Sequence, residues 1–191
     1  MSSLEFTLFD TSVGRCGIVW NQCGVAGVQL PERSADATLA RLRRRYPDAR
    51  ETSPLAHIRN VIDGIAGLLR GEARDFSTVT LDLDGVTPFQ QQVYAVVRTI
   101  PAGATLSYGE IATRLGDRNA ARDVGEAMGQ NPCPIIVPCH RVLAAGGKVG
   151  GFSAAGGVTT KLRLLEIEGA QVGEVPTLFE RLPLHTRPGR R

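Results

Sequence analysis

With 191 residues, 42% of them apolar, the chain is long enough for one large domain or two small ones with a substantial core. No apolar run approaches the ~20 residues that cross a bilayer, and the start, Met1-Ser2-Ser3-Leu4-Glu5, lacks the basic flank and apolar stretch of a leader; a soluble cytoplasmic protein that does not touch membrane is expected. The net charge of +3 is weak for a nucleic-acid binder but uneven: residues 86–191 hold 12 basic and 8 acidic side chains, and arginine, whose planar fork suits phosphate, supplies 20 of the 22 positive charges.

Residues 4–30 read as antiparallel strands. Glu5 to Phe9 alternates, Gly17 to Trp20 is apolar, Asn21 to Gly24 has turn chemistry, and Val25 to Leu30 returns. Leu39, Leu42 and Tyr46 then stand at helical spacing over 34–46, with Arg41, Arg43, Arg44 and Arg45 mostly outward, either as a solvated face or as a contact to DNA. A second helix is expected from Leu55 to Arg70, striped by Ile58, Ile62, Ile65 and Leu69 and stopped by Gly71. Thr78 to Leu83 alternates as a strand, and Asp84-Gly85 with Pro88 marks a junction between a domain over 1–85 and another over 86–170.

The second domain opens with a helix over 88–99, burying Phe89, Val93, Val96 and Val97. Ser107 and Glu110 form a capping box at the start of a short helix, Tyr108 to Leu115, ended by Gly116. After a three-residue turn, Asn119 caps a helix from Ala120 to Met128, stopped by Gly129. Helix, tight turn, helix is the arrangement of many DNA-binding domains and also of ordinary helical pairs. Ala121 and Gly125, four apart, leave one face almost without side chains, able to lie against a protein helix or a DNA groove, and Arg122 sits beside that face.

The β-branched run Ile135-Ile136-Val137 and Pro138 form a stiff frame ahead of Cys139. A free thiol has a pKa of about 8.5 and needs a base to become a nucleophile. His140, its neighbour, can serve only if the chain turns there, because successive side chains of an extended segment face opposite ways. Without such a turn Cys139 is a small buried hydrophobe. Cys133, between two prolines, reads as a packing residue rather than a redox partner. Gly150, Gly151, Phe152, Ser153, Ala154, Ala155, Gly156 and Gly157 are too poor in apolar mass to be core and read as a site loop whose backbone approaches a ligand. No Gly-Lys-Ser/Thr follows to make it a phosphate loop. A last helix, Val158 to Ile167, is expected to bury Leu162, Leu165 and Val158 and to expose Lys161 and Arg163, ending in Glu166-Ile167-Glu168-Gly169; the tail 171–191, rich in Pro and Arg, is expected to be loose.

Asn131-Pro132-Cys133-Pro134-Ile135-Ile136-Val137-Pro138-Cys139-His140-Arg141-Val142, followed by Glu168-Gly169, resembles the acceptor-cysteine signature of the O6-alkylguanine-DNA alkyltransferases, and the resemblance runs from about Pro88 to Gly169. It implies an α/β (α+β) architecture: a small N-terminal domain of antiparallel sheet plus helices, then a mostly helical, winged-helix-like domain that carries the thiol in Cys139. It further implies single-turnover DNA repair, in which an alkyl group on O6 of guanine passes to Cys139, with O4-alkylthymine an open second substrate. The catalytic set would be Cys139, His140, Glu168, Asn131 and Tyr108. Glu168 would orient His140, Asn131 would tie the recognition helix to the reactive turn, and Tyr108 would press on the target phosphate and donate to guanine N3. Arg122, Tyr108, Ala121 and Gly125 would meet duplex DNA, with Arg122 filling the gap left by the rotated nucleotide. Met128, Val142, Phe152 and Ser153 would line the base pocket. The implied partner is double-stranded DNA containing O6-alkylguanine, acted on by a monomer with no cofactor.

Two departures bear on substrate range: Phe152 stands where many members have tyrosine, and the loop from Ser153 to Lys161 is about two residues longer than in some relatives. Some members carry zinc in the N-terminal part, but Cys16, Cys23 and His57 offer no fourth ligand and the four cysteines no C-x-x-C pair, so no metal is expected. Two rival readings stay open. A damage sensor that flips the base without transfer would lack the thiol that Cys139 provides, and a cysteine hydrolase built on Cys139, His140 and Glu168 would leave the helix pair unexplained.

Overall fold

The computed structural model describes residues 3–170. Strands β1 (Glu5–Thr11), β2 (Gly14–Asn21) and β3 (Gly24–Gln29) form an antiparallel meander, and β4 (Arg50–Glu51) adds two residues parallel to β1, giving the order β3-β2-β1-β4. Pairing runs from Glu5 opposite Trp20 to Thr11 opposite Gly14, and a register shift at Val19 and Trp20 separates the two halves of the β2–β3 ladder. Helix α1 (Ala35–Arg45), capped by Ser34 whose side chain accepts from Ala37 N, covers one face through Leu42, which packs with Phe6 and Val19. Alternate residues of β2, Cys16, Ile18 and Trp20, face the opposite way into the main core, as period-two geometry requires.

That core is continuous through both halves of the chain. It takes Ile58, Val61, Ile65, Leu68 and Leu69 from α2 (Ala56–Leu69), Val93, Tyr94 and Val97 from α3 (Pro88–Arg98), Ile111 from α4 (Tyr108–Arg114), Val124 and Ala127 from α5 (Ala121–Gly129), and Leu164 from α6 (Val158–Ile167). Helix α3 carries a capping box of its own, Thr87 with Gln90, and buries Tyr94, whose hydroxyl donates to Ala127 O at 3.0 Å, while Phe89 and Val96 are only half-buried.

Three expectations are corrected, and a fourth falls outside the described residues. Thr78 to Leu83 is not a strand: it makes a single bridge, Val25 to Leu81, because the edge of β3 is shared, with Val25 N donating to Thr80 O and Val28 N to Pro132 O at 2.9 Å. Asn119 does not cap α5; its N–H is taken by Asp117 Oδ1, the helix begins one residue later behind Ala120, and the connection from α4 is longer than three residues. In α6 the buried stripe is Lys161, Leu164 and Leu165, with Leu162 half-buried and Val158 42% exposed. A stripe at 161, 164, 165 and 168 has helical spacing, but its two ends are charged, so apolar periodicity pointed to the wrong residues. The expected tail at 171–191 lies outside the described residues.

Candidate active site

The reactive segment is held from both ends. At its start, Asn131 Oδ1 accepts from Cys133 N at 2.9 Å and Asn131 Nδ2 donates to Val137 O at 2.8 Å, so one side chain closes residues 131–137 into a compact turn. Ile135 takes φ of 76°, the one non-glycine with positive φ among the described residues, a costly conformation for a β-branched side chain that its buried surroundings impose. At its end, Pro138 leads into a 3-10 turn over Cys139–Arg141, and Val142–Leu143 (β6) pairs in parallel with Leu106–Ser107 (β5). This pairing seats the reactive turn beside the start of α4, where Ser107 and Glu110 form the expected capping box.

Cys139 is 5% exposed and forms part of the wall of a cavity of about 270 Å³. Tyr108, Gly125, Met128, Gly129, Gly151, Phe152 and Ser153 complete the lining. Of the expected pocket residues, Met128, Phe152 and Ser153 are there, and Val142 is not: it is fully buried, and its carbonyl accepts from Lys161 Nζ at 2.5 Å. A larger hollow of about 730 Å³, beside α2 and lined by Cys23 and His57, shares no residue with this cavity. Tyr108 is packed against glycine on two sides: Cβ atoms added at Gly125 or Gly150 would stand 3.9 and 3.3 Å from its ring and hydroxyl.

Because the chain turns at 139–141, His140 does not point away into solvent. It is fully buried, with Nε2 3.0 Å from Glu168 Oε1. The contact has ion-pair distance without hydrogen-bond alignment, and neither ring nitrogen makes a hydrogen bond among the described residues. Glu168 is gripped by Arg141, whose Nε donates to Oε2 at 2.9 Å and Nη2 to Oε1 at 2.7 Å, while Nη1 donates to Ile100 O. Glu166, the other glutamate at the end of α6, is exposed.

Burial would raise the Glu168 carboxyl, but His140 and Arg141 outweigh it and bring its pKa to about 2. His140 is pushed below 6.5 by burial, which Glu168 only partly offsets, so it is neutral at physiological pH. Burial likewise raises Cys139 above its ordinary 9.0 against the opposing pull of Asn131 and Lys161. The resting site therefore holds a neutral thiol, a neutral imidazole and a carboxylate, the protonation state that a nucleophile, base and orienter need. Cys133 is a packing residue: buried, its Sγ 3.8 Å from Val25 O, its pKa pushed up to about 12 by burial.

Lys161 is a site residue that sequence reasoning placed in solvent. It is 1% exposed, bonded to Val142 O, with Nζ 5.9 Å from the centre of the Tyr108 ring, and its charge is felt at Cys139. The signal available was its distance of seven residues from Glu168, which sets both on one face of α6. Arg122 is exposed in the first turn of α5, next to half-buried Ala121, and makes no ion pair among the described residues.

A helix pair packed over a cysteine–histidine–glutamate cluster defines a protein with a thiol nucleophile built into a helix-turn-helix scaffold. Residues 88–170 match the family profile described as 6-O-methylguanine DNA methyltransferase, DNA binding domain. The chain is 37% identical to a methylated-DNA–protein-cysteine methyltransferase of Methanothermobacter thermautotrophicus over 82% of this chain and 80% of that one. It is 48% identical to one of Mycobacterium tuberculosis over 62% of this chain and 70% of that one. Its structure resembles that of Mycobacterium tuberculosis OGT in complex with DNA, with TM-score 0.71, 34% identity and coverage of 86% of this chain and 92% of that one. It also resembles O6-methylguanine-DNA methyltransferase from Pyrococcus kodakaraensis, with TM-score 0.66, 28% identity and coverage of 87% and 99%. The chain belongs to the methylated-DNA–protein-cysteine methyltransferase family.

Proposed function

We propose that this protein repairs duplex DNA by moving the alkyl group of O6-alkylguanine onto Cys139, once per molecule, acting as a monomer. The observation that carries the reading is Cys139 on the wall of a cavity large enough for a purine, with the buried His140 next to it in the chain and Glu168 against His140 Nε2. The base edge that carries O6 can reach a thiol in the cavity wall only if the nucleotide rotates out of the duplex, at a cost of a few kcal/mol, less when alkylation has already weakened its pairing. The face of α5 carrying Ala121 and Gly125 is smooth enough to approach the DNA backbone, and exposed Arg122 is free to enter the gap and offset part of that cost.

With Nε2 on Glu168, Nδ1 of His140 is the nitrogen that takes the thiol proton, through a bridging water. The thiolate attacks the alkyl carbon; the sulfur–carbon bond forms as the carbon–O6 bond breaks, and the electron pair leaves on guanine. Tyr108 donates to N3 of the departing base, and the proton lost by sulfur ends on guanine. Asn131 holds the turn, Lys161 favours the thiolate and Tyr108's orientation, and Met128, Phe152 and Ser153 bound the base. The product is a thioether, which no group in the site can cleave, so turnover stops after one transfer.

The experiment is incubation with duplex carrying O6-methylguanine, reading restored guanine in the DNA. Stoichiometric restoration is expected from the native protein and none from Cys139→Ser. Restoration by the serine variant would refute the assignment.

A further inference from the structure

A second, smaller space adjoins the cavity: a crevice of about 40 Å³ that shares Cys139, Phe152 and Ser153 with it and is closed by Pro134 and by two arginines of the N-terminal helix α1, Arg41 and Arg45. Arg41 is already committed. Its Nη1 stands 3.0 Å from Glu32 Oε1, and its Nη2 donates to Ser153 O at 3.3 Å. Glu32 is itself fixed, its N–H donating to the buried hydroxyl of Thr38 at 2.9 Å. Arg45 has no acidic partner among the described residues; its guanidinium lies over the Tyr46 ring at 5.5 Å, and its charge reaches the buried thiol of Cys133 and the hydroxyl of Tyr94. Two cations and one anion leave the crevice with an excess positive charge beside the acceptor sulfur.

In-line displacement at the first carbon of an O6-alkyl group places any further atoms of that group alongside sulfur, so a longer substituent has to enter the space next to Cys139. The crevice holds about two or three heavy atoms and little more, since one water needs roughly 10 to 15 Å³ of such space. We propose, resting on the alkyl-transfer reading above, that it selects O6-alkyl groups ending in a carboxylate, carboxymethyl being the smallest, over neutral groups of the same shape. In the transfer, sulfur bonds to the methylene as the methylene–O6 bond breaks; guanine keeps the electron pair and takes the thiol proton, and Cys139 becomes S-carboxymethylcysteine with its carboxylate facing Arg45.

The test compares single-turnover rates on one duplex carrying O6-methyl-, O6-carboxymethyl- or O6-carbamoylmethylguanine, the last two alike in shape and different in charge. A carboxymethyl rate roughly tenfold above the carbamoylmethyl rate is expected, the size of one charge-assisted contact. The ratio should shrink with rising salt, fall close to one in Arg45→Gln and persist in Arg45→Lys. Equal rates in the native protein would overturn the inference while leaving methyl transfer standing. Equal slowing of all three duplexes by Arg45→Gln would also overturn it, because the arginine would then be acting on the DNA backbone. Absence of methyl transfer would overturn both readings.

Discussion

Burial makes Cys139 a worse acid than a free thiol and His140 a weaker base than a free imidazole, so the reactivity of the pair comes from where the proton can go rather than from a standing thiolate. The lowered His140 value keeps the ring neutral and able to accept throughout the physiological range. Protonation of His140 in acid removes the acceptor, and above its pKa nothing further is gained. The single-turnover rate is therefore expected to be flat through neutral pH and to fall on the acid side with a midpoint below 6.5. A rate that instead climbed through pH 9 in step with thiol ionisation would show that sulfur works without its neighbour. Glu168, brought to about 2 by its two partners, stays ionised across that window and leaves the profile to His140 alone.

The elements that place these groups are short, and their register is set by side chains more than by propensity. Asn131 serves two backbone partners at once; Asn131→Ala leaves Cys133 N buried and unpaired, while Val137 O keeps only Cys139 N. A loss of about 1 to 3 kcal/mol is expected in denaturant unfolding, with transfer slowed roughly tenfold in conditions where the variant is still folded. Lost stability with an unchanged rate would make the turn merely structural. Much of this element level was legible beforehand. The meander and the Ser107–Glu110 box follow from local chemistry, whereas the turn at Cys139 stayed open; of the residues expected around the base, Met128, Phe152 and Ser153 line one cavity with Cys139 and Val142 does not. What was hidden was hidden for physical reasons. The Thr87–Gln90 capping box went unnoticed, although the helix it opens was expected over 88–99. Asn119 lost its capping role to a turn made by Asp117. Lys161 was misplaced because its burial depends on one carbonyl, Val142 O, and on the Tyr108 ring, partners 19 and 53 positions away that no helical period reveals.

For the whole molecule, the N-terminal sheet does more than sit beside the helices. The free edge of β3 takes Thr80 O and Pro132 O as hydrogen-bond acceptors, Val25 O lies against Cys133, and α1 reaches across to Ser153, so the reactive turn and the cavity wall both lean on residues of the first half. Arg122 is exposed on α5, and the cavity lies between α5 and the glycine-rich loop. Everything converges on one sulfur. The decisive measurement is peptide-level mass spectrometry of the protein after exposure to excess O6-methylguanine duplex. The expected result is a single methyl on the peptide containing Cys139, saturating at one per chain; methyl groups on another residue, or more than one lesion repaired per chain, would contradict it.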